Sequence, residues 1–176
     1  FGWTYPISPP ARAKNPPILT MATIKGFIFD LDGVLADTAG LHFEAWQQIA
    51  ERLELKLSEK QYEQMKGLGR EKSLDKLIEW SGKEANTDEK RELLAAKNQH
   101  YHQLLNDHED KMLLPGANAF LAATKNMSLK IALGSVSKNA ELVLQKAGLT
   151  EKFDVIVDGL SIEKAKPRPE VFLKGA

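Results

Sequence analysis

Two aspartates spaced i, i+2 follow an apolar stretch near the start of the chain, in the segment FIFDLDGVLADT at residues 27–38. Residues 24–29 are mostly apolar without strict alternation, which predicts a parallel strand covered on both faces. Strand side chains repeat with period two, so Asp30 and Asp32 can lean toward one reacting centre, and Gly33 allows a sharp turn behind them. One carboxylate can attack phosphorus while the other moves a proton. The alternative is a pair of strand-end aspartates that cap a turn.

Two later segments, GSVSKN at 134–139 and KPRPE at 166–170, carry groups suited to holding an anion. The first is predicted to be a strand-to-helix turn, whose backbone N–H groups and helix dipole favour negative charge, although Ser135 could simply be an N-cap. Lys166 precedes Pro167, which biases the lysine toward extended backbone, although it could be a solvated surface lysine. Because all these loops follow parallel strands, we expect them to meet the aspartates at one edge of the sheet.

The spacing of apolar residues predicts the elements that position these groups. Between residues 41 and 53 apolar side chains recur every four positions, which predicts a helix that Thr38 can cap. Gly148 is the predicted C-terminal stop of a later helix. The other predicted elements are helices at about 58–67, 70–81, 87–106, 117–124 and 140–147 and strands at 129–133 and 155–157.

Strands that alternate with helices predict an α/β fold built on a Rossmann-like parallel sheet wound right-handedly. The four helices that follow the first strand predict an inserted α-helical cap at residues 37–109, with the core formed by 21–36 and 110–176. Residues 1–20 hold five of the eight prolines without periodic apolar positions, which predicts a disordered extension upstream of a natural start at Met21.

Composition excludes several classes of function. The 24 basic and 24 acidic residues cancel, and no basic cluster indicates a nucleic-acid or membrane-surface partner. The absence of cysteine excludes disulfides, zinc thiolate sites and thiol catalysis, and it is typical of a reducing cytoplasm, the predicted location. No apolar run reaches the ~20 residues of a membrane span. His100, His102 and His108 lack the i, i+4 spacing of zinc-binding helices and are predicted to have surface or linker roles.

The DLDG segment at 30–33, SVSKN at 135–139 and KPRPE together resemble the haloacid dehalogenase superfamily, and within it most closely the β-phosphoglucomutase group, over roughly residues 21–176. The resemblance implies that Asp30 is the nucleophile that forms an aspartyl-phosphate and that Asp32 is the general acid and base. It further implies that Ser135 and Lys166 hold the phosphate and that Mg²⁺ is bound by the two aspartates.

Three cap segments resemble the same group: DTAGLHFEAW at 37–46, KGLGRE at 66–71 and AAKNQHY at 95–101. The resemblance implies that His42 and Lys97 serve cap closure and proton handling. Each has a plainer alternative, such as an exposed helix position for His42 or a place in the cap core for Trp46. The substrate-binding residues implied by the resemblance are Thr38, Trp46, Gly67, Leu68, Arg70, Val136, Ser137, Lys138 and Asn139, with Arg70 on the distal phosphate.

The implied activity is the Mg²⁺-dependent interconversion of β-glucose 1-phosphate and glucose 6-phosphate through β-glucose 1,6-bisphosphate. The alternatives are a sugar-phosphate phosphatase with the same core and an inactive, phosphate-binding remnant. The remnant is considered because the superfamily's fourth, acidic motif normally follows the Lys166 motif and is absent here. We therefore expect a core that is incomplete at the C-terminus, monomeric when complete, with the first strand as an apolar edge open to association.

Overall fold

The computed structural model describes residues 23–108 and 112–176, and within these ranges the chain forms a three-stranded sheet and seven α-helices. The predicted tail at 1–20, the proposed start at Met21 and the predicted domain boundary near residue 110 lie outside the described residues. The elements are β1 (Gly26–Phe29), α1 (Ala39–Arg52), α2 (Glu59–Glu63), α3 (Arg70–Ser81), α4 (Thr87–Asp107), α5 (Ala117–Asn126), β2 (Lys130–Gly134), α6 (Ala140–Lys146), a 3₁₀ helix (Thr150–Lys152), β3 (Val155–Val157) and α7 (Glu170–Gly175).

The sheet is parallel throughout, in the order β1-β2-β3, which confirms the predicted α/β fold with a parallel sheet. Phe29 pairs with Leu133, and Leu133 pairs with Ile156, so the three strands end at nearly the same level. The loops after all three strands therefore leave the sheet at one edge, where open α/β sheets place their ligands.

A tight turn follows β1 and aims the two aspartates. Gly33 has a φ of +75°, a left-handed conformation that costs little without a Cβ. Its N–H donates to the carbonyl of Ala36 at 2.8 Å, and the N–H of Leu35 donates to the carbonyl of Leu31 at 3.0 Å. Because Leu31 is fully buried beneath this turn, the aspartates on either side of it point away from the core.

Two apolar clusters stabilise the described part of the chain. The larger joins the sheet to α5, α6 and the near ends of α1 and α4, with Leu31, Ile131 and Leu133 at its centre. The smaller lies within helices α1 to α4, called the cap below, where Ile49 of α1 and Leu77 of α3 are fully buried. The cap thus has apolar packing of its own while α1 and α4 also rest on the core.

Several predicted boundaries need correction. β1 begins at Gly26 instead of residue 24, and the helix predicted at 58–67 ends at Glu63, since the chain then turns toward Gly67 at a φ of +77°. Thr38 does not cap α1 through its side chain. Gly148, with a φ of +66°, follows the end of α6 as predicted. Within the residues described, no helix combines the length and apolarity needed to cross a membrane.

Candidate active site

A cavity of about 280 Å³ lies between the carboxyl edge of the sheet and helices α1, α3 and α4. Its walls bring together most of the predicted site residues, although these are spread over more than a hundred positions of the chain. The predicted site residues that line it are Asp30, Asp32, His42, Trp46, Gly67, Leu68, Arg70, Lys97, Val136, Ser137, Lys138 and Lys166.

Asp30 and Lys166 form an ion pair at the base of the cavity. The Lys166 ammonium lies 2.7 Å from Asp30 Oδ2, and the Leu31 N–H donates to Asp30 Oδ1 at 2.9 Å. The side chain of Asp30 remains 40% exposed, so an electrophile in the cavity can reach its carboxylate. A phosphoryl group placed there would meet a nucleophilic oxygen and a positive charge together.

Asp32 lies deeper than Asp30 and has a different environment. Burial raises the pKa of the Asp32 carboxyl, the Thr38 hydroxyl opposes that shift by donating to Oδ1, and the negative charge of Asp30 adds to it. A carboxyl that gains its proton more readily is suited to general acid and base work. Thr38 itself is fully buried and does not line the cavity, and its hydroxyl contacts Asp32, so its predicted contact with substrate stays a prediction.

His42 and Lys97 form a second polar pair on the cap side. Lys97 Nζ lies 2.8 Å from His42 Nδ1, and His42 Nε2 lies 3.7 Å from Asp32 Oδ1. The imidazole stacks on the ring of Tyr101 with centroids 4.0 Å apart. When the ammonium donates to Nδ1, the neutral imidazole carries its proton on Nε2, the nitrogen that faces Asp32.

Burial sets the protonation of this pair. It lowers the pKa of His42 well below its ordinary value, and the positive charges of Lys97 and Arg70 lower it further. Burial, followed by the charge of Arg70, also lowers the pKa of Lys97 to about 7, against a smaller opposing effect from Asp32. The cap therefore presents a neutral histidine and a lysine whose charge depends on pH near neutrality.

Arg70 is the first residue of α3 and reaches the cavity from the cap. Burial lowers the pKa of its guanidinium, which nevertheless stays charged at neutral pH, as arginine does in proteins. Lys66 lines the same wall. Among the described cap residues that line the cavity there is no carboxylate, so this wall is suited to binding an anion.

The loop after β2 forms the opposite wall. Val136, Ser137 and Lys138 line the cavity, and the Ser137 N–H donates to Ser135 Oγ at 3.1 Å. Ser135 is fully buried below the loop and does not line the cavity, which differs from its predicted position on the phosphate. Gly159, after β3, allows this packing, because a Cβ there would lie 2.3 Å from the Val136 carbonyl oxygen.

Asn139 also differs from its predicted position. It does not line the cavity and instead contacts α4, where its Nδ2 donates to Asn98 Oδ1 at 2.9 Å and its Oδ1 lies 3.1 Å from His102 Nε2. His102 therefore joins cap to core, which corrects its predicted surface or linker role. His108, by contrast, is exposed, and its Nδ1 lies 2.9 Å from the carbonyl oxygen of Leu104.

Three cavity residues with polar side chains, Tyr62, Lys66 and Ser73, were not predicted from the sequence. Tyr62 donates through its hydroxyl to the Ala39 carbonyl at 3.0 Å, and Ser73 is buried on α3. Ser73 lies three positions after Arg70, a spacing that places both on one helix face and would have indicated it. Tyr62, in the five-residue helix α2, and Lys66, in the irregular chain between α2 and α3, carry no comparable signal.

The oxygen donors at the base of the cavity fit a hard divalent cation only in part. Asp30 could offer its carboxylate and Asp32 its backbone carbonyl, and Mg²⁺ is commonly held by one or two carboxylates together with substrate oxygens. No group of three or more histidine, cysteine or acidic side chains with metal-binding geometry occurs among residues 23–108 and 112–176. A cation at this position would need oxygen atoms from the substrate.

Comparison with known proteins gives consistent matches. A family model described as haloacid dehalogenase-like hydrolase matches residues 24–176. A β-phosphoglucomutase of Bacillus subtilis is 39% identical over 155 residues, covering 87% of this chain and 69% of the relative. A phosphorylated carbohydrates phosphatase of Thermotoga maritima is 29% identical over 85% of this chain and 68% of its own length. The crystal structure of a β-phosphoglucomutase from Clostridium difficile superposes with a TM-score of 0.82 at 38% identity, over 88% of this chain and 70% of that one.

Proposed function

The chain belongs to the haloacid dehalogenase-like hydrolase family, and from that premise we propose that it is a phosphomutase that interconverts β-glucose 1-phosphate and glucose 6-phosphate. The observation that carries the proposal is the single cavity in which Asp30, paired with Lys166, lies next to Asp32 beneath a cap wall of cations. The relatives from Bacillus subtilis and Clostridium difficile, both named β-phosphoglucomutase, support this choice of substrate.

In the proposed reaction an oxygen of Asp30 attacks a phosphorus atom of β-glucose 1,6-bisphosphate. The bond from phosphorus to the sugar oxygen breaks, and Asp32 gives its proton to that oxygen. When the 1-phosphate is transferred, the product that leaves is glucose 6-phosphate. In the return step Asp32 takes a proton from the free C6 hydroxyl of β-glucose 1-phosphate, whose oxygen attacks the aspartyl-phosphate, reforms the bisphosphate and frees Asp30. The Lys166 ammonium neutralises the negative charge that gathers around the phosphoryl group.

The role of the remaining groups follows from their positions. Thr38 orients the Asp32 carboxylate by donating to it, and Arg70 holds the phosphate that is not being transferred. The cap excludes water from the aspartyl-phosphate between the two half-reactions. Asp30 and the backbone carbonyl of Asp32 would hold Mg²⁺, which when bound supplies additional positive charge at the transferred phosphoryl group.

A sugar-phosphate phosphatase is the second candidate, favoured by the similarity to the Thermotoga maritima phosphatase. The two activities share the attack by Asp30 and differ in what accepts the phosphoryl group. The test supplies β-glucose 1-phosphate with Mg²⁺ and a catalytic amount of glucose 1,6-bisphosphate and measures glucose 6-phosphate and inorganic phosphate together. We expect glucose 6-phosphate to dominate, whereas dominant phosphate release would favour the phosphatase and neither product would reject both.

A further inference from the structure

An ion pair joins the cap to the core beside the cavity. Lys138 Nζ, in the loop after β2, lies 2.7 Å from Glu71 Oε1, in the first turn of α3. The two side chains are 37% and 56% exposed, and ion pairs with this much solvent contact contribute little to stability. The pair is therefore easy to exchange for another anion that binds the same ammonium.

A second, smaller cavity of about 180 Å³ shows where the pair lies. Lys138 and Arg70 line both this cavity and the main one, whereas Glu71 lines only the smaller one. The ammonium thus lies at the boundary between the two spaces and is held on the side away from the proposed substrate. Because a lysine side chain has four rotatable carbons, it can turn from Glu71 into the main cavity without movement of the backbone.

We propose that Glu71 determines specificity by holding Lys138 until the second phosphate group of a bisphosphorylated sugar replaces its carboxylate. Arg70 and Lys138 line the same main cavity, so a phosphate bound by Arg70 arrives close to the ammonium that Glu71 holds. A phosphate dianion attracts the ammonium more strongly than a carboxylate does, which allows the exchange. The hydrogen bond from Lys138 also lowers the pKa of Glu71, which keeps this carboxylate charged at neutral pH.

The selectivity follows from which ligands need Lys138. A small phosphate ester that reacts at Asp30 and Lys166 leaves the Glu71 pair intact and is unaffected by it. A sugar bisphosphate must break the pair to gain the second ammonium contact, so Glu71 weakens its binding. The exchange also keeps the cap joined to the core, because one phosphate between Arg70 and Lys138 replaces the carboxylate. This inference rests on the proposed function in one respect, because it takes from it the class of ligand, a bisphosphorylated sugar.

The test measures binding without turnover. Glu71→Gln is combined with Asp30→Asn, and the dissociation constant of glucose 1,6-bisphosphate is measured by calorimetry, so the result does not depend on whether the proposed reaction occurs. We expect Glu71→Gln to tighten binding about two- to fivefold, the range of an exposed ion pair. In protein that already carries Lys138→Met, Glu71→Gln should not tighten binding, because Glu71 and the phosphate then have no ammonium to compete for.

The chain offers a matched control in Asp75 and Lys90, which are also 2.7 Å apart with side chains 56% and 40% exposed, but which both belong to the cap. Asp75→Asn should leave the dissociation constant unchanged. Unchanged or weaker bisphosphate binding in Glu71→Gln overturns the proposal. A gain that persists after Lys138→Met, or an equal gain in Asp75→Asn, also overturns it, since a general change in charge would then explain the effect. In active protein, Glu71→Gln should leave the KM for acetyl phosphate unchanged.

Discussion

The two walls of the cavity use lysine in opposite ways. On the core wall the Lys166 ammonium pairs with the Asp30 carboxylate at 2.7 Å. On the cap wall Lys97 is buried against the His42 imidazole and the faces of Trp46 and Tyr101, with no carboxylate in hydrogen-bond contact among the described residues. Pairing with a carboxylate stabilises the charged ammonium, whereas burial without one destabilises it.

The difference indicates a division of work between the walls. The core wall holds both carboxylates of the proposed chemistry, and the cap wall contributes cations and aromatic rings. Changes on the core wall should therefore affect every phosphoryl transfer, while changes on the cap wall should depend on the substrate and on pH. The following predictions test this division.

The largest effect is expected for Asp30→Asn on the core wall. An amide is nearly isosteric with the carboxylate but is a poor nucleophile, so transfer from every phosphate donor should fall by at least ~10³-fold. Unchanged circular dichroism and melting temperature would serve as the control for folding. Retention of a substantial part of the parental rate with any donor would remove Asp30 from the role of nucleophile.

Asp32→Asn, also on the core wall, should slow transfer by ~10²- to 10⁴-fold, the usual contribution of a general acid and base. Thr38→Val is the companion variant, because it keeps the carboxylate and removes only the hydroxyl that donates to it. Thr38→Val should also slow phosphoryl transfer, but by a smaller factor than Asp32→Asn. A rate in Asp32→Asn equal to that of the parent would contradict the assignment.

On the cap wall, Arg70→Ala should lower kcat/KM for the sugar bisphosphate by ~10- to 100-fold, the contribution of one or two hydrogen bonds to a charged group. Hydrolysis of acetyl phosphate should change little, since that acyl phosphate has no second phosphate to bind. Arg91→Ala is the control, because Arg91 is exposed on α4 and pairs with Asp88. An equal fall in kcat/KM for both substrates would assign Arg70 to cap stability. It would also contradict the expectation that changes on the cap wall depend on the substrate.

The last effect concerns Lys97 and appears in the free energy of unfolding instead of in a rate. The pKa of Lys97 is about 7 in the folded chain against an ordinary value of 10.5, so the unfolded chain binds more protons between these values. The free energy of unfolding of the parent should therefore rise relative to that of Lys97→Met by about 1.4 kcal/mol per pH unit between roughly pH 7 and 10.

Urea denaturation at several pH values measures this difference. Lys66→Met is the control, because Lys66 lines the same wall but is 47% exposed and paired with Glu63. If Lys66→Met changed the pH dependence as Lys97→Met does, the effect would belong to this wall in general and not to Lys97. A Lys97→Met curve that runs parallel to that of the parent would show that Lys97 keeps its charge when folded and would remove the contrast between burial and pairing.

Much of the site followed from local pattern. The apolar run before Asp30 predicted β1, and parallel strands necessarily end at one edge, which brought Asp30 and Lys166 together. Helical periodicity likewise located α3 and α4, and with them Arg70 and Lys97. These features depend on neighbours a few positions apart, and spacing along the chain records such neighbours directly.

The tertiary structure decided what the irregular loops do with their side chains. Ser135 and Asn139 flank the cavity residues Val136 to Lys138, yet one is buried beneath the loop and the other is bonded to α4. The pair of Glu71 and Lys138 joins positions 67 residues apart. No periodicity governs the direction of a side chain in a non-repeating backbone, and contacts between cap and core exist only after both have packed. The sequence alone therefore determined which groups are present, and the folded chain determined which of them meet.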